Sequence, residues 1–448
     1  MSYSERKFHN AGACKQAMRN DTARRLPRIA CKQAPALCRS HSGDSGFALV
    51  ITLALLALLV LAVFSLSSLA RVNSRIASTS VQQSQARQNA LLALHIALGE
   101  LQRHAGPNNR QTGMAGVVGI LPKNTFRQWT GVWGSTPSPV WLVSGATGTP
   151  TPALAGARFT IVGSHTVGSP TDTTDQEPVE IGLIDLPGLD VAGLSTSTGR
   201  IGYWVGDEGA KVSAIMAGDE LQTGGTSGSG LRPNLHRLIS TSFDPSATSN
   251  LRLISVEQLK VAVTGFTLSE AFHSLTRSHF ALQSTAAKGT PRPGQYVIGA
   301  FNINTTSEAA WRALLETNDP YFRLSTARSL SAARQIRDRI AGHLHPFASV
   351  DELLNSAIIQ QSFDNASPKV TTVTESEFIA ELRPILATRS DTFRIRGYGD
   401  TLNPADHTTI QASAYCEAIV QRTPDSAPNA LGQRFIVTYF RWLGRDDI

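Results

Sequence analysis

The strongest constraint on this chain is an unbroken apolar run from Phe47 to Phe64. Its sequence, FALVITLALLALLVLAVF, contains one polar group, the hydroxyl of Thr52. As an α-helix the run would be about 27 Å long, which is close to the thickness of the hydrocarbon core of a bilayer. A surface helix of a water-soluble domain has a polar face, and this run has none. The sequence therefore predicts a membrane-spanning helix over residues 47–70.

The positive charge of the chain lies in front of this run. Residues 1–46 contain nine Lys and Arg residues against three acidic residues, whereas the remaining 402 residues contain 32 bases and 31 acids. Basic residues mark the cytoplasmic side of a membrane helix, so we expect a cytoplasmic N-terminus and an exported body. A nearly neutral body does not suit a surface that coats phosphates, and no nucleic-acid partner is expected.

The helical pattern continues beyond the membrane segment. Ala86, Ala90, Ala93 and Ala97 recur at steps of three and four, and the segment contains no proline. A secretory signal peptide, the simpler alternative, has an apolar region of about 7–15 residues followed by a cleavage site. We predict one nearly continuous helix from residue 47 to 104, ended by Gly106 and Pro107.

A basic leader that ends in glycine before this helix resembles the precursor of a type IV pilin or pseudopilin. Gly46 closes the leader and Phe47 opens the apolar stem. The resemblance implies that prepilin peptidase cleaves after Gly46 and that the new N-terminus at Phe47 is methylated. The leader is longer than is usual for this class, and translation can start at Met1 or at Met18.

The fifth position after the predicted cleavage site departs from the common pilin pattern. Most pilins have glutamate there, and this chain has Ile51. A carboxylate inside a membrane is costly unless it meets a cation, which in pilins is the terminal amine of the subunit above. A subunit without the carboxylate suits the tip, where no subunit lies above. This feature resembles general secretion pathway protein K, a minor pseudopilin of type II secretion; a plain membrane anchor is the alternative.

The body begins with Gly-, Ser- and Thr-rich loops between short predicted strands at 140–143 and 157–162. Trp129, Trp133 and Trp141 are interpreted as core aromatics, with a sugar-binding site as the alternative. From Arg200 to Val212 the sequence RIGYWVGDEGAKV predicts a tight hairpin with Asp207 and Glu208 at its exposed tip. An acidic metal or catalytic pair is the alternative.

A helical segment follows. In GAFNINTTSEAAWRALL we predict a helix with a capping box between Thr305 and Glu308. The stretch SAARQIRDRIAGHLHPFASVDELL predicts a helix, a turn in which Phe347 fills the core, and a second helix capped by Ser349. These motifs resemble the helical domain of the protein K family. The residues also resemble a helix-hairpin-helix DNA-binding module, although the linking stretch 316–331 lacks the Gly-x-Gly turn of that module.

Three further strands are predicted at 389–400, 410–420 and 434–443, and they would form an antiparallel meander. In the last strand Phe435, Val437, Tyr439 and Arg441 are expected on one face. The predicted fold is therefore α+β: a long N-terminal transmembrane and pilin-type helix, an antiparallel pseudopilin sheet and an inserted all-helical domain. The domains are a leader (1–46), the helix (47–105), the first part of the β-domain (106–235), the helical insert (236–387) and the closing strands (388–448).

The sequence contains no G-x-S-x-G elbow, HExxH, P-loop or G-x-G-x-x-G. We therefore expect no enzymatic activity and no required cofactor. His343 and His345 are interpreted as exposed residues at a helix end. The resemblance implies calcium in the folded body, and Asp400, Asn403 and Asp406 are the candidate ligands, with a solvated loop as the alternative.

The sequence thus predicts a structural minor pseudopilin at the tip of a type II secretion pseudopilus. It would be a single-pass protein of the inner membrane with a periplasmic body. Its expected partners are other minor pseudopilins, the inner-membrane secretion platform and prepilin peptidase. The alternatives are a minor pilin or adhesin of another type IV filament, and an exported DNA-binding protein of the uptake machinery.

Overall fold

The computed structural model describes residues 45–119, 121, 124–135, 137–167, 177–188, 197–214, 233, 272–276, 280–282, 296–317, 319 and 321–448. The predicted leader, apart from its last two residues, and the predicted Gly-, Thr- and Ser-rich break at 223–230 lie outside these residues. The chain divides into two compact units, of which the first ends at Arg71 and the second is Val72–Ile448.

Among the described residues, helices lie mainly at 45–105 and in the region before the last strands. The helices are α1 Ser45–Ala105, α2 Ser164–Val167, α3 Glu308–Leu315, α4 Thr326–Gly342, α5 Val350–Asn355, α6 Ile358–Asp364 and α7 Glu375–Leu382. The long helix α1 confirms the prediction for residues 47–104. It ends where Gly106 donates its backbone N–H to the carbonyl oxygen of Gln102 at 3.1 Å.

The strands lie on both sides of the segment that contains helices α3–α7. They are β1 Gln111–Met114, β2 Thr130–Trp133, β3 Val140–Trp141, β4 Ala146–Thr147, β5 Ala153–Leu154, β6 Arg158–Val162, β7 Val179–Gly182, β8 Ile184–Pro187, β9 Ser197–Asp207, β10 Val212–Ser213, β11 Leu275–Thr276, β12 Phe280–Leu282, β13 Tyr296–Ile298, β14 Phe301–Asn302, β15 Leu386–Ala387, β16 Thr392–Leu402, β17 Ile410–Ser426 and β18 Gln433–Leu443. The fold is α+β, as predicted.

The main sheet has five antiparallel strands in the order β18-β17-β16-β9-β8. The predicted meander of the last three strands is confirmed. Alternation along β16 directs Phe393 and Ile395 toward α1, where they share a core with Ala86, Ala90 and other buried residues of the helix. The sheet is thus built from two parts of the chain that the helical segment separates.

A second core is rich in tryptophan. Trp129, Trp133 and Trp141 are buried together with Trp204, and the rings of Trp133 and Trp141 meet edge to face at 5.7 Å between centroids. The interpretation of the first three tryptophans as core residues is confirmed.

The predicted hairpin at Arg200–Val212 is wrong. Strand β9 pairs with β8 and β16, while β10 pairs in parallel with β11. Asp207 and Glu208 are buried. Their carboxylates accept hydrogen bonds from donors inside the protein. The residues after β9 therefore lie in the interior and do not form a solvated tip.

The helical segment has its own core. Among the described residues, five helices, α3–α7, lie within the predicted insert of 236–387, but the same range also contains the short strands β11–β15. The bounds of the insert stay a prediction, because much of residues 236–295 lies outside the described residues. Phe347 is fully buried in this core and Ser349 caps α5, both as expected.

Two local predictions are corrected by the structure. Helix α3 is capped by Ser307, whose hydroxyl accepts from Ala310 N–H, so Glu308 is the first helical residue and is too early to complete a capping box. In β18 a register shift lies between the pairs Ile419–Tyr439 and Val420–Val437. The extra residue reverses the alternation, so Val437 and Tyr439 lie on opposite faces.

Candidate functional site: the N-terminal helix and its junction with the sheet

The apolar segment of α1 has the properties of a membrane anchor. Every side chain from Phe47 to Arg71 is exposed, and the Thr52 hydroxyl donates to the carbonyl oxygen of Leu49 at 2.9 Å. Within the described residues one helix is long and apolar enough to cross a membrane. Because its single polar side chain is satisfied within the helix, nothing in the segment opposes insertion into lipid.

The predicted processing and tip-position residues lie at the start of this helix. Because α1 begins at Ser45, the bond between Gly46 and Phe47 falls in its first turn. Phe47 is 71% exposed, and Ile51, four residues later, is 44% exposed and lies on the same face of the helix. Cleavage, methylation and the role of Ile51 stay predictions.

Beyond Arg71, helix α1 packs against the sheet at positions where both elements have very small residues. A Cβ added at Gly399 would lie 2.2 Å from Ala90 N and 2.7 Å from Ala86 O, and one at Gly397 would lie 2.8 Å from Ala90 O. The Asn89 amide donates to the backbone oxygen of Asp400 at 2.7 Å. Glycine on the strand and alanine on the helix therefore allow the two backbones to approach closely.

Cys416 belongs to the same contact. Its buried Sγ lies 3.5 Å from the carbonyl oxygen of Ala90. Burial raises the pKa of the thiol to about 12, so the sulfur stays protonated and packs as a small apolar group.

Two arginines hold the C-terminal end of α1. Arg389 donates from Nη2 to the carbonyl oxygen of Ala105 at 2.7 Å, and Arg422 donates from Nη2 to that of Gly106 at 2.8 Å. Asp391 accepts from Arg422 at 3.2 Å. Cations next to the last carbonyls of a helix are stabilising, because those oxygens have no partner within the helix. No sequence pattern indicates this contact, apart from the basic and acidic pair before β16.

A buried network of charges lies on the opposite face of the sheet. Glu208 binds Lys211 at 2.5 Å and Arg394 at 3.0 Å, and Arg394 also binds Glu417 at 3.0 Å. Burial opposes the charge of Glu208, but Arg394 and Lys211 outweigh it and lower the pKa of that carboxyl to about 2. In the same way burial is outweighed by Arg394, Arg396 and Arg441, so the pKa of Glu417 lies below its usual range.

Asp207 and His273 behave differently, because burial dominates both. Burial raises the pKa of Asp207 to about 6, against hydrogen bonds from Ser390 and Asn302. Burial and the nearby Lys211 lower the pKa of His273 to about 3. The cavity that these residues line has a volume of about 10 Å³, which is room for one water molecule and not for a substrate.

The calcium candidates do not share one environment. Both oxygens of Asp400 are occupied, since Oδ1 accepts from Arg200 N–H at 2.6 Å and Oδ2 accepts from Arg200 Nη2 at 2.7 Å and from the Tyr398 hydroxyl at 2.9 Å. A carboxylate already neutralised by arginine does not fit a calcium ligand. Asp406 accepts from the backbone of Thr409 and from the Asn403 amide. Calcium at that loop stays a prediction.

The arginines that suggested DNA binding have partners within the protein. Arg334 and Arg337 bind Glu308 at 3.0 and 2.6 Å. Arg323 donates to the carbonyl oxygen of Thr317, Arg328 to that of Lys369, and Arg339 to the side chain of Gln361. These side chains connect helices and turns of the insert.

Comparisons with known proteins give one similarity. No protein-family model matches the chain, and no curated protein matches it. A chain of the GspK–GspI–GspJ complex of the type 2 secretion system from enterotoxigenic Escherichia coli matches 58% of this chain and 82% of its own length, with 13% identity and a TM-score of 0.27. A TM-score of this size does not establish a common fold, so the proposal below depends on the residues and contacts described above.

Proposed function

We propose that this protein is a structural minor pseudopilin at the tip of a type II secretion pseudopilus. The observation that carries the proposal is helix α1. It is apolar and exposed from Phe47 to Phe64, and from Ala86 onward its small residues pack against the main sheet. A pilin-like subunit needs both properties, because the first part is held in the membrane before assembly and the second joins the anchor to the folded body.

The body is suited to a structural role. The charged residues that could have served a catalytic site, Asp207, Glu208 and Glu417, are buried and bound to cations or amides of the protein. Their contacts connect β9, β16 and β17, and the cavity that Asp207 lines among the described residues has a volume of about 10 Å³. Such a network supports one fixed arrangement of the sheet.

Placement at the tip rests on Ile51. In a filament shaft a carboxylate at this position would neutralise the terminal amine of the subunit above, and isoleucine offers no charge. The protein would therefore be found where no subunit follows. In this proposal its partners are other minor pseudopilins and the secretion platform. It is anchored in the inner membrane with its body in the periplasm.

The N-terminus of the protein recovered from membranes tests the proposal. We expect a mature chain of 402 residues that begins with methylated Phe47, and only in cells that contain prepilin peptidase. Gly46→Leu should block processing, because a side chain would crowd the scissile bond, whereas Gly43→Leu, the same change three residues earlier, should not. A start after Ala70, or processing that does not need the peptidase, would exclude a pilin-like precursor.

A further inference from the structure

The turn between α4 and α5 brings together two imidazoles and a carboxylate. One ring nitrogen each from His343 and His345 and one oxygen of Glu352 lie within 4.8 Å of one another. His343 and Glu352 are half-buried and His345 is exposed. The sequence pattern alone indicates two exposed histidines at a helix end. Glu352 joins them only because the chain reverses at Pro346 and begins α5.

The hydrogen bonds of the histidines determine which nitrogens are available. Nδ1 of His343 lies 3.0 Å from the carbonyl oxygen of His345, and Nδ1 of His345 lies 3.3 Å from that of Pro346. A carbonyl oxygen only accepts, so in both rings Nδ1 carries the proton and Nε2 keeps its lone pair. This is the arrangement by which backbone carbonyls orient metal-binding histidines.

The carboxylate of Glu352 is held by a hydrogen bond to one of its two oxygens. Oε2 of Glu352 accepts from the backbone N–H of Ala348 at 2.7 Å, while Oε1 has no partner among the described residues. The Ser349 hydroxyl caps the same helix turn by accepting from Glu352 N–H at 3.0 Å. The backbone of Glu352 is thereby fixed next to the two rings.

The backbone between the histidines is held in an unusual conformation. Leu344 has a φ of 66°, in the left-handed region that a leucine rarely adopts, and its side chain is 61% exposed. The conformation places the rings of His343 and His345 4.0 Å apart, and His343 stacks on buried Phe347 at 4.2 Å. Strain of this kind persists where a particular arrangement of neighbouring side chains is required.

We propose that Nε2 of His343, Nε2 of His345 and Oε1 of Glu352 bind a zinc ion. Two imidazoles and one carboxylate are ligands typical of Zn²⁺. Ca²⁺ and Mg²⁺ take oxygen ligands instead. Ligand atoms in a tetrahedral zinc site are about 3.3 Å apart, so small rotations of these accessible side chains close the site. The fourth position is left for water or for a side chain of a neighbouring subunit. The bound ion would join the end of α4 to the start of α5.

Zinc titration of the full chain in detergent tests the proposal. Cys14, Cys31 and Cys38 are changed to serine in every protein, since leader thiols bind zinc themselves. We expect one Zn²⁺ per chain, measured by calorimetry and by competition with a chromophoric chelator. His345→Ala and Glu352→Gln should each weaken this binding at least about tenfold, because they remove a ligand without disturbing the ring that packs on Phe347.

His407→Ala is the matched control. His407 also lies in a turn and its Nδ1 is 3.1 Å from a carbonyl oxygen, that of Ser197, but among the described residues it belongs to no group of three potential His, Cys, Asp or Glu ligands. This variant should bind zinc as tightly as the parent. Zinc should also raise the unfolding temperature of the parent and not that of His345→Ala. Equal zinc affinity in the parent, His345→Ala and Glu352→Gln would overturn the proposal.

Discussion

Arg396 and Glu417 stand directly opposite each other on β16 and β17, and Arg396 Nε donates to Glu417 Oε2 at 2.9 Å in the interior of the protein. Both side chains are at most 2% exposed. Glu417 also accepts from Arg394 and Arg441, so one carboxylate balances three guanidinium groups. Glu417 therefore joins β16, β17 and β18, and it shares Arg394 with the buried Glu208.

Glu417→Gln should be strongly destabilising. The change keeps the volume of the side chain but leaves buried Arg396 without its counter-charge, and we expect a loss of about 3–5 kcal/mol in the free energy of unfolding. Denaturant unfolding of the full chain in detergent, followed by tryptophan fluorescence, measures it. Glu381→Gln, at an exposed position on α7, should change the free energy by less than about 0.5 kcal/mol. Equal midpoints for the two variants would show that the network contributes nothing.

Gly399→Ala should weaken the junction of helix and sheet. The new Cβ would lie 2.2 Å from Ala90 N, so either the helix or the strand must shift, at a cost of about 1–3 kcal/mol. Gly99→Ala is the control, because a Cβ there meets nothing within 4 Å and should stabilise the helix by about 0.5–1 kcal/mol. The same unfolding measurement compares them, and effects of the same sign would contradict the close contact.

Asp207→Asn should remove one component of the pH dependence of stability. Because the pKa of Asp207 is raised to about 6 in the folded protein, its contribution to stability is complete below about pH 4 and is lost as the pH rises to 6. The free energy of unfolding of the variant should therefore rise relative to the parent by up to about 3 kcal/mol over that range. His273 titrates in both proteins and cancels in the difference. A difference that does not vary with pH would refute the assignment.

Phe347→Ala should loosen the insert before the sheet. The ring is fully buried, and its loss should cost about 3–5 kcal/mol. Hydrogen exchange followed by mass spectrometry should show faster exchange in α4 and α5 than in β16 and β17. Tyr321→Ala removes a ring that is 60% exposed and should leave both regions unchanged. Uniform loss of protection across the chain would mean that the insert and the sheet unfold together.

Ile51→Glu should move the protein from the filament tip into the shaft or prevent its assembly. At the tip the new carboxylate meets no amine and costs up to about 2.5–3.5 kcal/mol in the membrane, whereas in the shaft it would be neutralised. Immunogold labelling of filaments locates the protein. Leu55→Glu places the same charge one turn further along and should impair insertion without relocating the label. Wild-type label spread along the shaft would defeat the assignment to the tip.

The sequence predicted the parts of the fold in which one pattern extends over many residues. Helix α1 has a long apolar run followed by alanines at helical spacing, and strands β16 and β17 alternate clearly. It failed at Asp207 and Glu208, because acidic residues after a strand are typical of a solvated turn. The partners that bury them, Asn302 for Asp207 and Arg394 for Glu208, are distant in sequence. Burial of charge depends on tertiary partners that local spacing does not reveal.

The candidate sites also differ in whether a local sequence pattern indicates them. Gly46, Phe47 and Ile51 are predicted from a local signal, because they occupy fixed places relative to the apolar run, and their roles stay predictions. The sequence pattern does not connect Glu352 with His343, because the turn between them contains Leu344 in the left-handed conformation, which leucine rarely adopts. Only the folded turn brings them together.

Strand β16, which pairs with β9, is made late in synthesis of the chain. Val205 pairs with Ile395, and all of the intervening chain must be made before that contact can form. Until then the alanine face of α1 lacks β16 and β17 to cover it, so the sheet closes only when the last sixty or so residues are present, and a pairing of such high contact order forms slowly. A chain interrupted anywhere in the insert would therefore keep α1 without the strands that cover its alanine face, which makes the far C-terminal strands the part of the protein that completes the main sheet.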